Sequence, residues 1–423
     1  MKKIKILTVS DNPIAFSGVA GQTKYMIEAL LQSGKFEVVS LAGAIKHKDY
    51  NPIKTEEHGD DWILYPVDGF GTAEIVRYML RNHKPDIVWV MSDPRMHTWL
   101  WTIENEIRAV CPIVYYHVWD NYPYPKFNTP WYESNDMIVS ISKITSDIVR
   151  TVSPSVEETY LPHAVDPNVF RKLPEEEIKK QKDTIFEGRL KNKFVFFWNN
   201  RNARRKHSTT LVWWFLDFLE KHNLKDKICL LMHTDPRDEH GTDIPAILKD
   251  RNATNGEILI SAAKLPPEHV NVLYNIADCT VSISDAEGYG LSLQESLATS
   301  TPIIATETGG MQEQVKNSFG EVFGVSIKPS SKMLVGSLTV PYILEDRISQ
   351  EDFEAALMTI YSLPKEELQE MGKRGKQHSV DNYNFDTYRN SWVKILEGVH
   401  EKFGSWETRK NHKSWRFEQI NFD

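Results

Sequence analysis

Cysteine is scarce: Cys111, Cys229 and Cys279 are the three in 423 residues, each inside an apolar, strand-like run. Neither a disulfide framework nor a cysteine-ligated metal cluster is suggested, and buried thiols in a reducing compartment account for all three. No apolar run approaches the about 18 residues that a membrane span needs. The start, "MKKIKILTVSDNP", has too short an apolar segment for a signal-peptide core and reads as a first strand. A cytoplasmic chain is therefore expected. Positive charge is also in deficit. Fifty Lys and Arg stand against 58 Asp and Glu, a net charge of −8, so no global field draws the chain to nucleic acid or anionic lipid.

What is present is ordinary for a globular protein: 41% hydrophobic and 26% charged residues. The length suits two domains at roughly 150 residues each. "IKILTVS", "FEVVSLAG", "DIVWVMS", "PIVYYHVW" and "DMIVSIS" read as strands, with helical patterns such as "QTKYMIEALLQSG" and "TAEIVRYMLRNH" between them. A second alternating series runs through "FVFFWNN", "KICLLMH", "EILIS", "CTVSIS" and "TPIIATE". Between the two lies a polar stretch, "PEEEIKKQKDTIFEGRLKNK", which reads as a connection. The fold class expected is α/β, two doubly wound Rossmann-like domains facing a central cleft. The first spans 1–165 and the second 166–384.

The segment 284–295, "SDAEGYGLSLQE", joins a strand to a helix through a Gly-x-Gly turn. Such a turn aims backbone N–H groups and a positive helix end at an anion. Glu287 and Glu295 flank it, and carboxylates there would repel an anion but accept hydrogen bonds from hydroxyls. Phosphate in the middle with hydroxyls at both ends describes a nucleotide sugar. Two solvated surface glutamates beside a chance turn is the alternative that this stretch alone leaves open. Elsewhere, "SDNPIAFSGVAGQTKY" places Gly18 and Gly21 where a backbone comes close to a ligand, although it is not a GxGxxG fingerprint. "NNRNARRKH" (199–207) sets four basic residues just after a strand.

Residues 284–295 match the E-x7-E motif of the GT-B retaining glycosyltransferases, especially their family 4. "PPEHVNVLYNIADCTVSISDAEGYGLSLQESLATSTPIIATETGGMQEQV" resembles that family's C-terminal domain, "LPHAVDPNVF" its interdomain segment and "SGVAGQTKYM" its N-terminal glycine loop. The resemblance implies a GT-B fold. It places Glu287 beside the donor sugar as an electrostatic positioner, and the amides of Gly288, Tyr289, Gly290 and Leu291 on sugar and phosphate. Glu295 would take the ribose hydroxyls. Arg201 and Lys206, with Arg205 adjacent, would meet the diphosphate and stabilise the charge that grows on the leaving group. His207 departs from the pattern, because the family has glycine there. His117 matches a position that contacts the transferred sugar, with Asp120 near it. Trp119, Tyr122 and Tyr124 either form an acceptor platform or pack a proline-rich loop.

The family needs no Asp-x-Asp metal site, and the chain contains no such tripeptide. His233, Asp235, Asp238, His240 and Asp243 read as a solvated loop rather than a metal cluster, so neither a metal nor a resident cofactor is expected. The C-terminal segment 385–423 resembles the family's last helix, which crosses back onto the N-terminal domain. Its tail carries Trp406, Trp415, Arg409, Lys410, Lys413 and Arg416, which suit a docking segment better than a nucleic-acid arm.

The function expected is retaining transfer of a glucose-type hexose from a nucleoside diphosphate sugar, a UDP-sugar first, to an acceptor hydroxyl on a glycan or small molecule. Alternatives are transfer to 5-hydroxymethylpyrimidines in DNA, a GT-B nucleotide-sugar epimerase, and a non-catalytic sugar-binding protein. Oligomeric state is not readable.

Overall fold

The structure, a computed structural model, describes residues 2–415. Arg416, the last basic residue of the tail, lies outside them. Fourteen strands form two parallel α/β sheets, and two more form a separate hairpin. The first sheet contains β1 (Ile4–Asp11), β2 (Phe36–Gly43), β3 (Ile53–Lys54), β4 (Trp62–Pro66), β5 (Ile87–Ser92), β6 (Ile113–His117), β7 (Met137–Ser140) and β8 (Glu157–Tyr160). Their order is β3-β4-β2-β1-β5-β6-β7-β8, with only β3 antiparallel to its neighbour. The second sheet contains β9 (Phe194–Asn199), β10 (Ile228–His233), β11 (Ile258–Ser261), β12 (Cys279–Ser282), β13 (Ile303–Thr306) and β14 (Gly324–Ile327), in the order β11-β10-β9-β12-β13-β14. β15 (Ser331–Val335) and β16 (Ile343–Arg347) make the hairpin.

The central strands are apolar on both faces because helices cover both sides, as parallel sheets require. β5 is buried along its whole length. The first helix, Gly18–Gln32, starts at Ser17, whose side chain accepts a hydrogen bond from the Ala20 amide. The chain turns out of it at Gly34, whose φ of 71° is left-handed. Both sheets point the carboxyl ends of their central strands at the cleft, where open α/β sheets bind ligands.

Residues expected to form a connection instead carry a helix, Glu175–Thr184, whose Ile178 packs with Val165 and Phe170 onto the second sheet. The amides of Arg171 and Leu173 donate to Asn271 and Asn275 side chains, fastening this stretch to the second domain. A polar sequence hides a helix that buries one residue along its length.

The last helix, Phe385–Phe403, returns to the first domain. Trp392, Leu396, Val399 and Phe403 pack with Met26, Leu30, Trp89 and Tyr116 in one apolar cluster. Beyond it the Trp406 indole donates to Pro85 O at 3.0 Å, and the buried Arg409 guanidinium pairs with Asp136 at 2.7 Å. That arginine is spent on the protein itself. All three cysteines are buried, and burial pushes each thiol up, Cys229 to about 12.

Trp392 is fully buried, edge-on to Trp89 and Tyr116. Trp392→Ala is expected to destabilise the first domain by about 3–5 kcal/mol. A urea titration would show this as a lowered first midpoint.

Candidate functional site

The two domains enclose a cleft of about 900 Å³. Its floor is the turn between β12 and the helix Leu291–Ala298. Gly290 has φ 90° and ψ 58°, a left-handed conformation that favours glycine. It offers no capping side chain, so the first amides of the helix are free of a side-chain cap at its positive end. Gly288 abuts the first domain, since a Cβ there would lie 2.8 Å from Val118 O. Across the cleft, a Cβ on Gly18 would meet Leu291 Cδ1 at 2.8 Å, so the glycine loop and the helix start nearly touch. Gly21 lies farther along the first helix, with nothing within 4 Å of where its Cβ would sit. Protein packing does not require glycine there.

Four basic residues follow β9, and their side chains diverge, Arg204 pairing with Glu345. Lys206 Nζ pairs with Glu287 Oε2, and Arg205 Nη1 joins the same oxygen at 3.0 Å while donating to Ala286 O at 2.6 Å. Burial, and then the Arg205 charge, draw the Lys206 ammonium well below the usual lysine range. Arg201 also lines the cleft but takes a different partner: its guanidinium forks onto Asp238, Nε at 2.6 Å and Nη2 at 3.0 Å. The cation accompanying Lys206 on Glu287 is thus Arg205, not Arg201. His207 takes φ 55°, which explains glycine at this position in the related pattern. Its Nε2 lies 3.4 Å from Asp285, which holds the ring toward the turn.

Glu295 sits one face along the helix, accepting from the Tyr274 hydroxyl at 2.7 Å, which itself accepts from the Asn199 side chain at 2.8 Å. Burial raises the Glu295 carboxyl to about 7. Tyr289 points away from the cleft floor: its hydroxyl donates to His163 O and Gln294 Oε1, and its ring packs in the interdomain cluster. Any role it has toward a ligand is carried by its backbone.

On the first domain the placement of His117 differs from expectation. Its side chain is fully buried at the end of β6, with Nε2 2.8 Å from the Tyr132 hydroxyl, and burial lowers the imidazole to about 3. It does not line the cleft. The wall there is formed by Asp120, Trp119, His163, Asp11, Asp93 and Arg95. Burial raises the Asp120 carboxyl to about 6, against the opposing pull of Arg205 and Lys206. Arg95 is gripped by Asp93 and lies 5.5 Å from the Trp119 ring centre. Tyr122 and Tyr124 form no platform: both hydroxyls donate to Asp147 Oδ2, at 3.1 and 2.9 Å. They pack a loop.

The side chains of 233–243 disperse to separate partners. His233 Nδ1 bonds Ser261, Asp238 holds Arg201, and Asp243 caps the helix Ile244–Asp250.

Three features were not read from the sequence. Gly309 and Gly310 press on the turn, Tyr274 orients Glu295, and the hairpin β15–β16 forms one side of the cleft. The Gly-Gly pair was a visible signal, because two adjacent glycines after a strand mark a close backbone approach.

Residues 251–378 match the glycosyl transferases group 1 family. No curated protein matches the chain. Among solved structures it is similar to sucrose-phosphate synthase from Thermosynechococcus elongatus, at 14% identity and a TM-score of 0.75, over 95% of this chain and 100% of that one. Anabaena HepE, solved in complex with UDP-glucose, is 14% identical with a TM-score of 0.68, covering 93% and 100% of the two chains. The α,α-trehalose 6-phosphate synthase of Burkholderia multivorans is 11% identical, TM-score 0.67, covering 95% and 100%. The chain has the GT-B fold of the glycosyltransferases, and its second domain carries the group 1 glycosyltransferase segment.

A Cβ on Gly309, whose φ is 49°, would lie 2.0 Å from Glu287 O. Gly309→Ala must therefore displace the turn, and a loss of at least about 2 kcal/mol is expected in the denaturation midpoint at unchanged slope.

Proposed function

We propose that the chain is a retaining, metal-independent glycosyltransferase that moves a glucose-type hexose from a UDP-sugar to an acceptor hydroxyl. The observation that carries this reading is the grouping of Glu287, Arg205 and Lys206 around an uncapped helix N-terminus, with Glu295 one helix face away. The donor diphosphate lies against the amides of Gly288 to Leu291, with Arg205 and Lys206 as its cations. As the bond to the leaving group breaks, negative charge grows on the diphosphate, and cations already placed beside the helix end stabilise it. Glu295 receives the ribose hydroxyls and Tyr274 holds it in place. Glu287 positions the sugar. HepE, with the same fold, is described with UDP-glucose bound, which supports a UDP-sugar as donor.

Among acceptors, DNA is the less favoured reading. The first-domain wall offers Asp11, Asp93 and Asp120 against Arg95, which Asp93 already neutralises. Phosphates approaching there meet repulsion rather than the basic strip that nucleic-acid binding uses. Arg409 of the tail is buried in its own ion pair. An epimerase or a non-catalytic binding protein shares the donor residues, and transfer to an acceptor with release of UDP separates it from both.

Glu295→Ala is expected to weaken UDP and UDP-glucose binding together by about 1–3 kcal/mol, read by calorimetry on the folded variant. Unchanged affinity for both would remove Glu295 from the nucleoside site. The raised Glu295 carboxyl adds a pH signature. Below about 7 it is protonated and accepts ribose hydroxyls poorly; above it, the carboxylate accepts them fully. UDP-glucose, whose diphosphate stays ionised throughout, should therefore bind about tenfold tighter at pH 8 than at pH 6. Glu295→Gln should flatten that profile.

Arg205→Ala and Lys206→Ala are expected to lower kcat more than they raise the donor KM, because the charge they meet grows in the transition state. Turnover should survive a chelator. Activity lost to chelator and restored by a divalent ion would overturn the metal-independent part.

A further inference from the structure

The hairpin β15–β16 belongs to the second domain by sequence and to both domains by contact. Leu344 N donates to Tyr122 O at 2.7 Å, and the Asn121 side chain donates to Leu344 O at 3.0 Å. Tyr342 stacks edge-on with Phe127 at 5.0 Å, and Val340 is buried in the first domain's apolar cluster. On the other side Asp346 N donates to Asp285 O, and Arg204 pairs with Glu345. Val335, Ser337, Val340 and Leu344 line the cleft.

The hairpin also carries exposed apolar side chains that no folding requirement explains: Leu338 is 99% exposed, Leu334 59% and Met333 49%. The first-domain segments at the same cleft add Phe16 at 68%, Ile14 at 53% and Met96 at 44%. These six are among only 15 exposed large hydrophobic residues on the described surface. Of the six, Met96 itself lines the cleft, and Phe16, Leu334 and Leu338 sit next in sequence to the lining residues Ser17, Val335 and Ser337; an apolar rim so placed marks a binding surface rather than scatter. Among the polar groups there, the Asp11 and Asp120 carboxylates suit hydroxyl donors, while Arg95 and Arg204 are already held by Asp93 and Glu345.

We propose that this mouth selects an uncharged amphiphilic acceptor, a hydroxyl-bearing head carried into the cleft with an apolar tail laid along the hairpin. The inference rests on the donor reading above. Its chemistry is that of an alkyl glycoside: the head meets Asp120 and the tail covers Leu334 and Leu338. A free sugar phosphate fits neither half.

The test uses binding, so that the identity of the sugar head does not decide it. Affinities of methyl, butyl and hexyl β-glucosides, kept monomeric, are measured by calorimetry on the full chain with UDP present. Each fully buried methylene is worth about fourfold, so hexyl should bind at least about tenfold tighter than methyl even with the tail partly covered. The Leu334→Ser/Leu338→Ser pair, and separately Met96→Ser, should reduce that ratio toward one. Both are surface changes that leave the core intact. Equal affinities along the series, a ratio unmoved by the rim variants, or glucose 6-phosphate binding tighter than every glucoside would overturn the proposal. So would a dimer in sedimentation that the double variant dissociates without altering glucoside affinity, because a second copy would then be the occupant. UDP-glucose affinity of the unaltered chain is measured alongside. Donor binding without chain-length dependence sinks the amphiphile alone, whereas no donor binding sinks the reading beneath it.

Discussion

The site depends on a crowding of backbones. The turn from Glu287 to Gly290 is pressed from one side by Gly309 and Gly310, whose amide at 310 donates to Glu287 O at 2.9 Å. From the other side Val118 O of the first domain approaches Gly288. Neither neighbour leaves space for a Cβ, and the left-handed Gly290 then bends the chain into its helix. A turn held this way has little freedom to reorient its amides, and polar groups fixed before a ligand arrives need no reorganisation when charge develops. The same crowding sets where the Glu287 side chain emerges, and hence where the cations after β9 converge.

That convergence is poorly explained by stability. Lys206 and Glu287 form a largely buried pair, and removing two charges from water commonly offsets their mutual attraction. A well-packed apolar pair would hold this part of the second domain as firmly. What the pair does instead is keep an ammonium and a guanidinium beside an uncapped helix end in the absence of a ligand. The cleft as a whole has seven acidic and five basic side chains, so its cations are all claimed at rest. On the donor reading, the diphosphate competes for Arg205 and Lys206 and frees Glu287 toward the sugar hydroxyls. A resting network of this kind discriminates against stray anions that bring no hydroxyls.

Much of this was legible in the sequence, and the illegible parts share a cause. The β-branched runs of β1, β5, β9 and β12 and the Gly-x-Gly turn gave the two-sheet plan and the position of Glu287 and Glu295, because period and turn chemistry are local. His117 was not legible. At a strand end, whether a side chain faces the cleft or the core depends on the packing of a neighbouring helix, here through Tyr132, and no local pattern carries that. Arg201 against Arg205 is the same problem: four basic residues in a short irregular segment differ only in direction, and Asp238, far along the chain, takes one of them. The helix Glu175–Thr184 was read as a connection since its one buried side chain, Ile178, leaves almost no periodic signal. In "KMLVGSLTVPYIL" the apolar residues face outward or onto the other domain, so alternation does not report a core.

The hairpin alters how the cleft is bounded. In a two-domain protein joined only at one side, the mouth is the freest edge; here the last helix ties the domains at one place and β15–β16 ties them at the mouth. Opening the mouth breaks the Leu344–Tyr122 and Asn121–Leu344 hydrogen bonds and unstacks Tyr342 from Phe127. With Val340 also buried in the first domain's apolar cluster, these contacts all favour the closed mouth. A large acceptor therefore meets a nearly fixed aperture between the glycine loop and the hairpin, and its shape is chosen by the side chains at that aperture more than by domain motion. On the acceptor reading, selectivity falls to Met96 in the cleft lining and to Phe16, Leu334 and Leu338 beside it, on segments far apart in sequence.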